Sequence, residues 1–308
     1  MKRFLTLGEC MVELAPAGDQ LYHQGFAGDT FNTAYYARRL LPQDWTVGYC
    51  SAVGQDAVSD DMLDLMRGHG IDISGVRKVA DRTLGLYMIQ LINGERSFSY
   101  WRRQSAAKLL ADDPDWLETQ LDGASMAQFS GITLAILSPE GRNTLCAALA
   151  RARANGTHVA FDTNLRPRLW EDEDTMRAGL RMGAEVSDTV LPSFDEEEGL
   201  FGDATPADTI ARYRDCGAST IAVKDGAGTL TIWDKTEGTQ EFQPVKIDSV
   251  IDTTAAGDSF GAGFLAGLAM ERGIAASAHL AMAVAAQVVQ ARGALVDLDM
   301  TDIEGTQA

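Results

Sequence analysis

The sequence predicts an α/β fold: a doubly wound, mostly parallel sheet with helices on both faces and a small β lid. Three observations predict it. Short β-branched or apolar runs alternate with amphipathic stretches along the 308 residues, the pattern of a parallel sheet covered on both sides. One segment interrupts that alternation with a hairpin signal. No fixed-period repeat, low-complexity tract or Pro-rich linker divides the chain, so residues 1–308 are read as one domain.

Strands are expected at Phe4 to Leu7, Thr46 to Val53, Ala127 to Phe129, His158 to Phe161, Thr189 to Leu191 and Ile221 to Val223, with Val245 to Ile251 as another strand-like run. Helices fit Val58 to His69, Pro139 to Asn155, Thr175 to Val186, Ala207 to Cys216, Phe260 to Arg272 and Ala275 to Arg292. The loop Ala27-Gly28-Asp29-Thr30-Phe31-Asn32 leads into a helix that runs to Leu41 and stops before Pro42. Asp29 can be that helix's N-cap. Alternatively, Gly28 lets backbone approach a sugar while Asp29 and Asn32 hydrogen-bond its hydroxyls.

Leu86 to Leu91 and Ser97 to Trp101 flank Asn93-Gly94, the strongest short signal for a two-residue hairpin loop. That loop sets Tyr87 opposite Tyr100, and strand periodicity puts Phe98, Tyr100 and Arg102 on one face. The product is either an aromatic cross-strand pair beside a solvated arginine or a binding face. After the strand ending at Phe161 comes Asp162-Thr163-Asn164-Leu165-Arg166-Pro167-Arg168, placed where ligands of such sheets collect. Arg166 offers a planar fork that matches a carboxylate in two bonds, unless it serves only a surface ion pair. Ser193 and Glu196 have the spacing of a capping box. Lys224-Asp225-Gly226-Ala227-Gly228 reads as a turn after a strand.

The most informative stretch is Asp252-Thr253-Thr254-Ala255-Ala256-Gly257-Asp258. Residues without bulk before a long small-residue helix leave backbone N–H groups uncovered, a ready anion site. Asp258 inside it would compete with a bound anion unless it has work to do. Phosphoryl transfer supplies that work: the amides of Ala255, Ala256 and Gly257 hold the developing charge, and Asp258 takes the proton from the attacking hydroxyl.

This heptapeptide resembles the second signature of the ribokinase-like (phosphofructokinase-B type) carbohydrate kinases, D-T-x-G-A-G-D, with Ala255 in place of its first glycine. Asp258-Ser259-Phe260 after the two alanines, and the run Gly94 to Arg102, are similar to the 2-keto-3-deoxygluconate kinases of that family. The loop at Gly28 and Asp29 resembles the first signature, with Ala27 departing from it. The resemblance implies a ribokinase-like fold whose lid comes from about residues 10–27 and 82–104. It implies ATP-dependent phosphorylation of 2-keto-3-deoxygluconate at O6, with Asp258 as general base. Tyr87, Tyr100, Arg102 and Arg166, with Gly28, Asp29 and Asn32, would bind the sugar acid, the arginines on its carboxylate. Asn164, Ser193, Lys224, Gly226 and Gly228 would lie toward ATP. Glu196 would act on Mg²⁺ through water, although Ser193 replaces the family's asparagine. A monovalent cation near Asp252 is a further expectation.

Composition narrows the partners. With 26 basic against 44 acidic residues and a net charge of −18, nucleic acid and anionic membranes are excluded. A small anion is not, because screening confines bulk charge to about 8 Å and local arginines can prevail. Four scattered cysteines and four histidines without ligand spacing fit thiols in a reducing cytoplasm. Glu9 and Glu13 interrupt any signal-peptide core. An exposed lid edge predicts a homo-oligomer. Gly261-Ala262-Gly263-Phe264-Leu265-Ala266 fits a dinucleotide fingerprint, but it falls inside a helix, where close packing explains it better. The remaining rivals are a fructokinase- or ribokinase-type enzyme, whose neutral sugar gives the arginines nothing to neutralise, and a sugar-acid-binding protein without catalysis.

Overall fold

A computed structural model describes residues 2–92, 95–247 and 249–305. The strands are β1 (Lys2–Leu7), β2 (Met11–Gly18), β3 (Leu21–Ala27), β4 (Trp45–Val53), β5 (Val76–Lys78), β6 (Leu86–Ile92), β7 (Glu95–Trp101), β8 (Met126–Ser130), β9 (His158–Asp162), β10 (Thr189–Leu191), β11 (Thr220–Val223), β12 (Leu230–Asp234) and β13 (Gly238–Phe242). Nine of them form one sheet in the order β13-β12-β11-β10-β9-β8-β1-β4-β5. Its pairs are parallel from β5 to β11, and only the β11–β12 and β12–β13 pairs are antiparallel. This is the doubly wound, mostly parallel α/β architecture that the sequence predicts.

Burial explains why the predicted strands hold. β4 is buried along almost its whole length, as a strand covered on both faces must be. Period two sends Phe4 of β1 into one apolar layer and Leu5 and Leu7 into the other. Helices Asp29–Leu40, Ala57–Gly68, Ala256–Ala269 and Gly273–Val288 cover the Phe4 side, while Pro139–Ala154 and Glu173–Glu185 are among those on the other.

Among the described residues of Val245 to Ile251 the expected strand does not form. Val250 and Ile251 are exposed, and the N–H groups of Ile251 and Asp252 donate to the Val289 carbonyl at 2.8 and 3.2 Å. Their hydrogen bonds are satisfied by the end of a helix rather than by a ladder, so this stretch reaches the helix at Ala256 as irregular chain. Val53-Gly54-Gln55-Asp56 is a turn, with Asp56 capping the next helix through the Ser59 N–H at 2.9 Å.

A second sheet, ordered β3-β2-β6-β7, comes from the two segments expected to form the lid. Tyr87 is opposite Tyr100, Ile89 opposite Phe98. The Asn93-Gly94 loop that predicts this register lies outside the described residues. One face of this sheet carries Met11, Ala27, Tyr87 and Ile89, which cluster with Ala294 and pack against Ala255. It therefore lies against the loop that contains the heptapeptide.

Helices Ala256–Ala269 and Gly273–Val288 meet at backbone contact. A Cβ on Gly263 would fall 2.7 Å from Ala281 Cα, and one on Gly267 would fall 2.7 Å from Ser277 Cα. Neither neighbour is a side-chain tip that could turn away. Gly263→Ala is expected to lower unfolding free energy by about 1–3 kcal/mol, read from denaturant midpoints, and an unchanged midpoint would show that the helices can slide apart.

Candidate active site

β1 is the switch point of the large sheet, because the chain moves outward from it first through β4 and β5 and then through β8 to β11. Ligands of open α/β sheets bind at the strands' carboxyl ends beside such a point. The chain leaves β9 at Asp162, β10 toward Ser193 and β11 into Lys224, so three of the sequence-predicted loops share that edge. Asp162 stands there with its carboxylate on the Lys224 ammonium, Oδ1 to Nζ 3.1 Å.

Two helix starts face the same edge. Asn32, on the first turn of Asp29–Leu40, donates from Nδ2 to Asp258 Oδ2 at 2.7 Å, and the Thr33 hydroxyl reaches the Asp258 carbonyl at 3.4 Å. Asn32 Oδ1 is buried without a partner. An unmet buried acceptor is costly, and a ligand hydroxyl would satisfy it. Asp29 is not the N-cap, a position held by Gly28. Its Oδ1 accepts the Thr30 N–H at 2.8 Å and its Oδ2 accepts Asn164 Nδ2 at 2.8 Å. Asn164, expected on the nucleotide side, is thereby tied to the predicted sugar side.

The helix of Asp258 begins at Ala256, after Ala255 in left-handed backbone at φ 60°. That conformation costs a non-glycine residue about 1 kcal/mol, and it starts the helix with the amides of Ala255 and Gly257. The Ala256 N–H, expected to be open as well, instead donates to the Thr253 carbonyl at 3.2 Å and closes the turn before the helix. A Cβ on Gly257 would lie 3.7 Å from Lys224 Nζ. One ammonium thus stands beside an uncovered helix start, a cradle that fits the phosphates of a nucleotide. Asp252 anchors the approach, accepting from Thr254 N–H and hydroxyl at 3.0 and 2.7 Å and from Gly293 N–H at 2.9 Å.

An amide-held carboxylate at a helix start, with an ammonium alongside, is the equipment of phosphoryl transfer to a hydroxyl, and residues 1–300 match the pfkB family carbohydrate kinases. The chain belongs to that family. It is 40% identical over 311 residues to the 2-dehydro-3-deoxygluconokinase of Escherichia coli (strain K12), covering 96% of this chain and 97% of that one. A PfkB protein from Polaromonas sp. JS666 superposes with a TM-score of 0.81 at 28% identity, over 94% and 96% of the two chains. A putative ribokinase II from E. coli, solved with ATP and Mg²⁺, has a TM-score of 0.85 over 99% of each chain; at 23% identity it shows the fold alone.

Other predicted site residues of this pfkB kinase are already engaged within the protein. Arg102 donates through Nε at 3.0 Å and through Nη2 to Glu9, whose side chain is 1% exposed. The Tyr87 hydroxyl donates to Glu13. Tyr100, largely exposed, lies with its ring 6.0 Å from that of Tyr87, and Phe98 completes the aromatic row at 6.2 and 6.3 Å. Arg166 donates to Glu196 Oε1 at 2.8 Å, while Glu196 Oε2 accepts the Leu165 N–H at 2.9 Å. The capping box expected at Ser193 is absent, since Ser193 makes no side-chain cap bond and the Glu196 carboxylate is turned to the Arg166 loop. Gly226 and Gly228 sit on an exposed turn, Gly228 packed on the Asp225 carboxylate. Among the described residues no cluster of three metal-ligating side chains occurs, and no helix is long and apolar enough to cross a membrane.

Glu9, Glu13 and Asp162 are the residues that sequence reasoning undervalued. Glu9 and Glu13 served only to exclude a signal peptide, although acids breaking an apolar run at a strand end are themselves a signal of buried partners.

Three carboxylates set the electrostatics. Burial, then the charge of Asp29, pushes the Asp258 carboxyl up to about 7; the Asn32 amide opposes the rise, Asp162 adds to it and Lys224 reduces it. Burial likewise raises Asp29, against the bonds from Ser130, Thr30 and Asn164. Burial disfavours the Arg166 charge, but the Glu196 carboxylate outweighs it and holds the guanidinium above its ordinary range.

A carboxyl raised in the folded state stabilises the fold below its unfolded pKa, and that stability is lost as pH climbs through the folded value. Asp258→Asn keeps an acceptor for Asn32 and removes the charge. Melting temperatures should therefore show the variant more stable than the parent at pH 8, with the gap closing between about pH 7 and pH 4. A gap independent of pH would mean that Asp258 is not raised.

Proposed function

We propose that this pfkB kinase transfers the γ-phosphoryl group of ATP to O6 of 2-dehydro-3-deoxygluconate, the acid also written 2-keto-3-deoxygluconate. The observation that carries the reading is the Asn32–Asp258 bond of 2.7 Å at the open helix start, in a chain 40% identical to a 2-dehydro-3-deoxygluconokinase over nearly its full length.

Asp258 accepts the proton of the C6 hydroxyl as O6 attacks the γ-phosphorus, and ADP leaves. Asn32 fixes the orientation of the carboxylate. A base near pKa 7 is ionised enough at neutral pH to work and basic enough to take the proton. The amides of Ala255 and Gly257 and the Lys224 ammonium hold the charge of the transferring group, and Asp162 keeps that ammonium in place. Mg²⁺, bound through the nucleotide's phosphates, would neutralise charge there. Glu196 would meet it through water, a reading supported by the engagement of its oxygens with Leu165 and Arg166.

On the sugar side, Gly28, Asp29 and Asn32 offer hydroxyl contacts, and the Tyr87–Tyr100 face of the second sheet lies over Ala255, placed to exclude water on closure. One observation favours a neutral sugar such as fructose: Arg102 and Arg166 each already face a glutamate. A guanidinium has five donors, however: Glu9 occupies one edge of Arg102, and Glu196 meets Arg166 through Nη1. The substrate carboxylate takes the rest.

Asp258→Asn should lower turnover roughly 10²- to 10⁴-fold, with ATP binding nearly unchanged, and parental turnover should rise with pH and level off above about 7. Near-parental turnover in the variant would remove Asp258 from the base role. Arg102→Ala should lower kcat/KM for the sugar acid by about 1.5–3 kcal/mol and spare fructose. An equal loss on both substrates would show that Arg102 reads no carboxylate.

A further inference from the structure

The four strands of the second sheet have their roots around one residue. Glu9 precedes β2, Gly28 follows β3, Gly85 precedes β6, and Arg102 follows β7. Each of these roots meets Glu9. A Cβ on Gly28 would fall 2.1 Å from the Glu9 carbonyl oxygen, and one on Gly85 would fall 2.7 Å from Glu9 Oε1. Glu9 Oε2 accepts from both Nε and Nη2 of Arg102, and Oε1 accepts the Ser105 hydroxyl. The side chains of Glu9 and Arg102 are 1% and 12% exposed.

A carboxylate buried this fully is tolerated only when charged and hydroxyl donors meet it. Here those donors come from the far end of the sheet, some ninety residues along the chain. Glu9 thereby fixes two of the three guanidinium nitrogens of Arg102; among the described residues Nη1 has no hydrogen-bond partner. The same residue lies against Gly28, next to the Asp29 that begins the sugar side.

We propose that Glu9 is a positioning residue: it locks the Arg102 guanidinium at the root of the second sheet, so that its remaining edge is presented to the substrate carboxylate. Glu9 touches no substrate and acts through Arg102. The inference rests on the reading of Arg102 as the reader of a sugar acid.

A double-mutant cycle on the full chain tests it, with 2-dehydro-3-deoxygluconate and fructose as substrates and thermal unfolding as the folding control. Glu9→Gln is expected to raise KM for the acid about tenfold, to leave kcat within twofold, and to spare fructose. In an Arg102→Ala background the same substitution should add less than a twofold loss. Additive losses, equal losses on both sugars, or an unchanged KM would overturn the proposal. If Arg102→Ala alone is no worse on the acid than on fructose, the Arg102 reading fails and takes this inference with it. If Arg102→Ala is selective while Glu9→Gln is additive, only the role of Glu9 fails. Should Glu9→Gln not fold, Ser105→Ala frees Glu9 Oε1 and is expected to raise KM two- to fivefold, again masked by Arg102→Ala; additivity there overturns the proposal equally.

Discussion

Mutual repulsion among Asp29, Asp162 and Asp258, gathered at the carboxyl edge of one sheet, is the constraint that the surrounding structure must offset. Each acid has its own answer. Asp258 takes the Asn32 amide, Asp29 takes Asn164 and the Thr30 N–H, and Asp162 takes the Lys224 ammonium. Only the last is a cation, so the cluster keeps an excess of negative charge, which adds to the rise that burial gives Asp258. The proposed base is thus brought near neutrality by burial first and by crowding second.

The same arrangement explains the uncovered helix start. An anion site beside three carboxylates would repel a nucleotide unless its positive potential were strong and close. Backbone amides opened by the left-handed Ala255, with Lys224 near Gly257, supply that potential without long side chains that would fill the space. Glycines at 263 and 267 let this helix sit against its neighbour at backbone distance, which holds Asp258 at a fixed depth relative to the sheet.

Around the sugar side, charge is managed by pairing. In a chain of net charge −18, Arg102 and Arg166 are each matched to a glutamate. A guanidinium so held loses less conformational entropy on meeting a ligand than one swinging in water, though part of its charge is already balanced. Selectivity for an acid then depends on the geometry of the free edge rather than on net charge.

Much of this was legible in the amino-acid order. Alternating apolar runs located most strands within a few residues, because buried strands and amphipathic helices must repeat with periods of two and 3.6. The Asn93-Gly94 signal predicts the Tyr87–Tyr100 register that the two strands adopt. The small residues before Asp258 marked the helix start at Ala256, although not the bond by which the Ala256 N–H meets the Thr253 carbonyl. Hydrophobicity misread Val245 to Ile251, where the choice between ladder and loop depended on whether a partner strand was available, and the Val289 carbonyl took the hydrogen bonds instead. Partnerships across long sequence separations were also invisible: Glu9 with Arg102, Asn164 with Asp29, Glu196 with Arg166. The sequence by itself determined most of the elements, the Tyr87–Tyr100 register and the small-residue helix start before Asp258, because these follow from local backbone and side-chain rules. Only tertiary structure decided which acid meets which donor, because a pairing between distant residues is fixed by where the sheet brings their loops, not by any spacing along the chain.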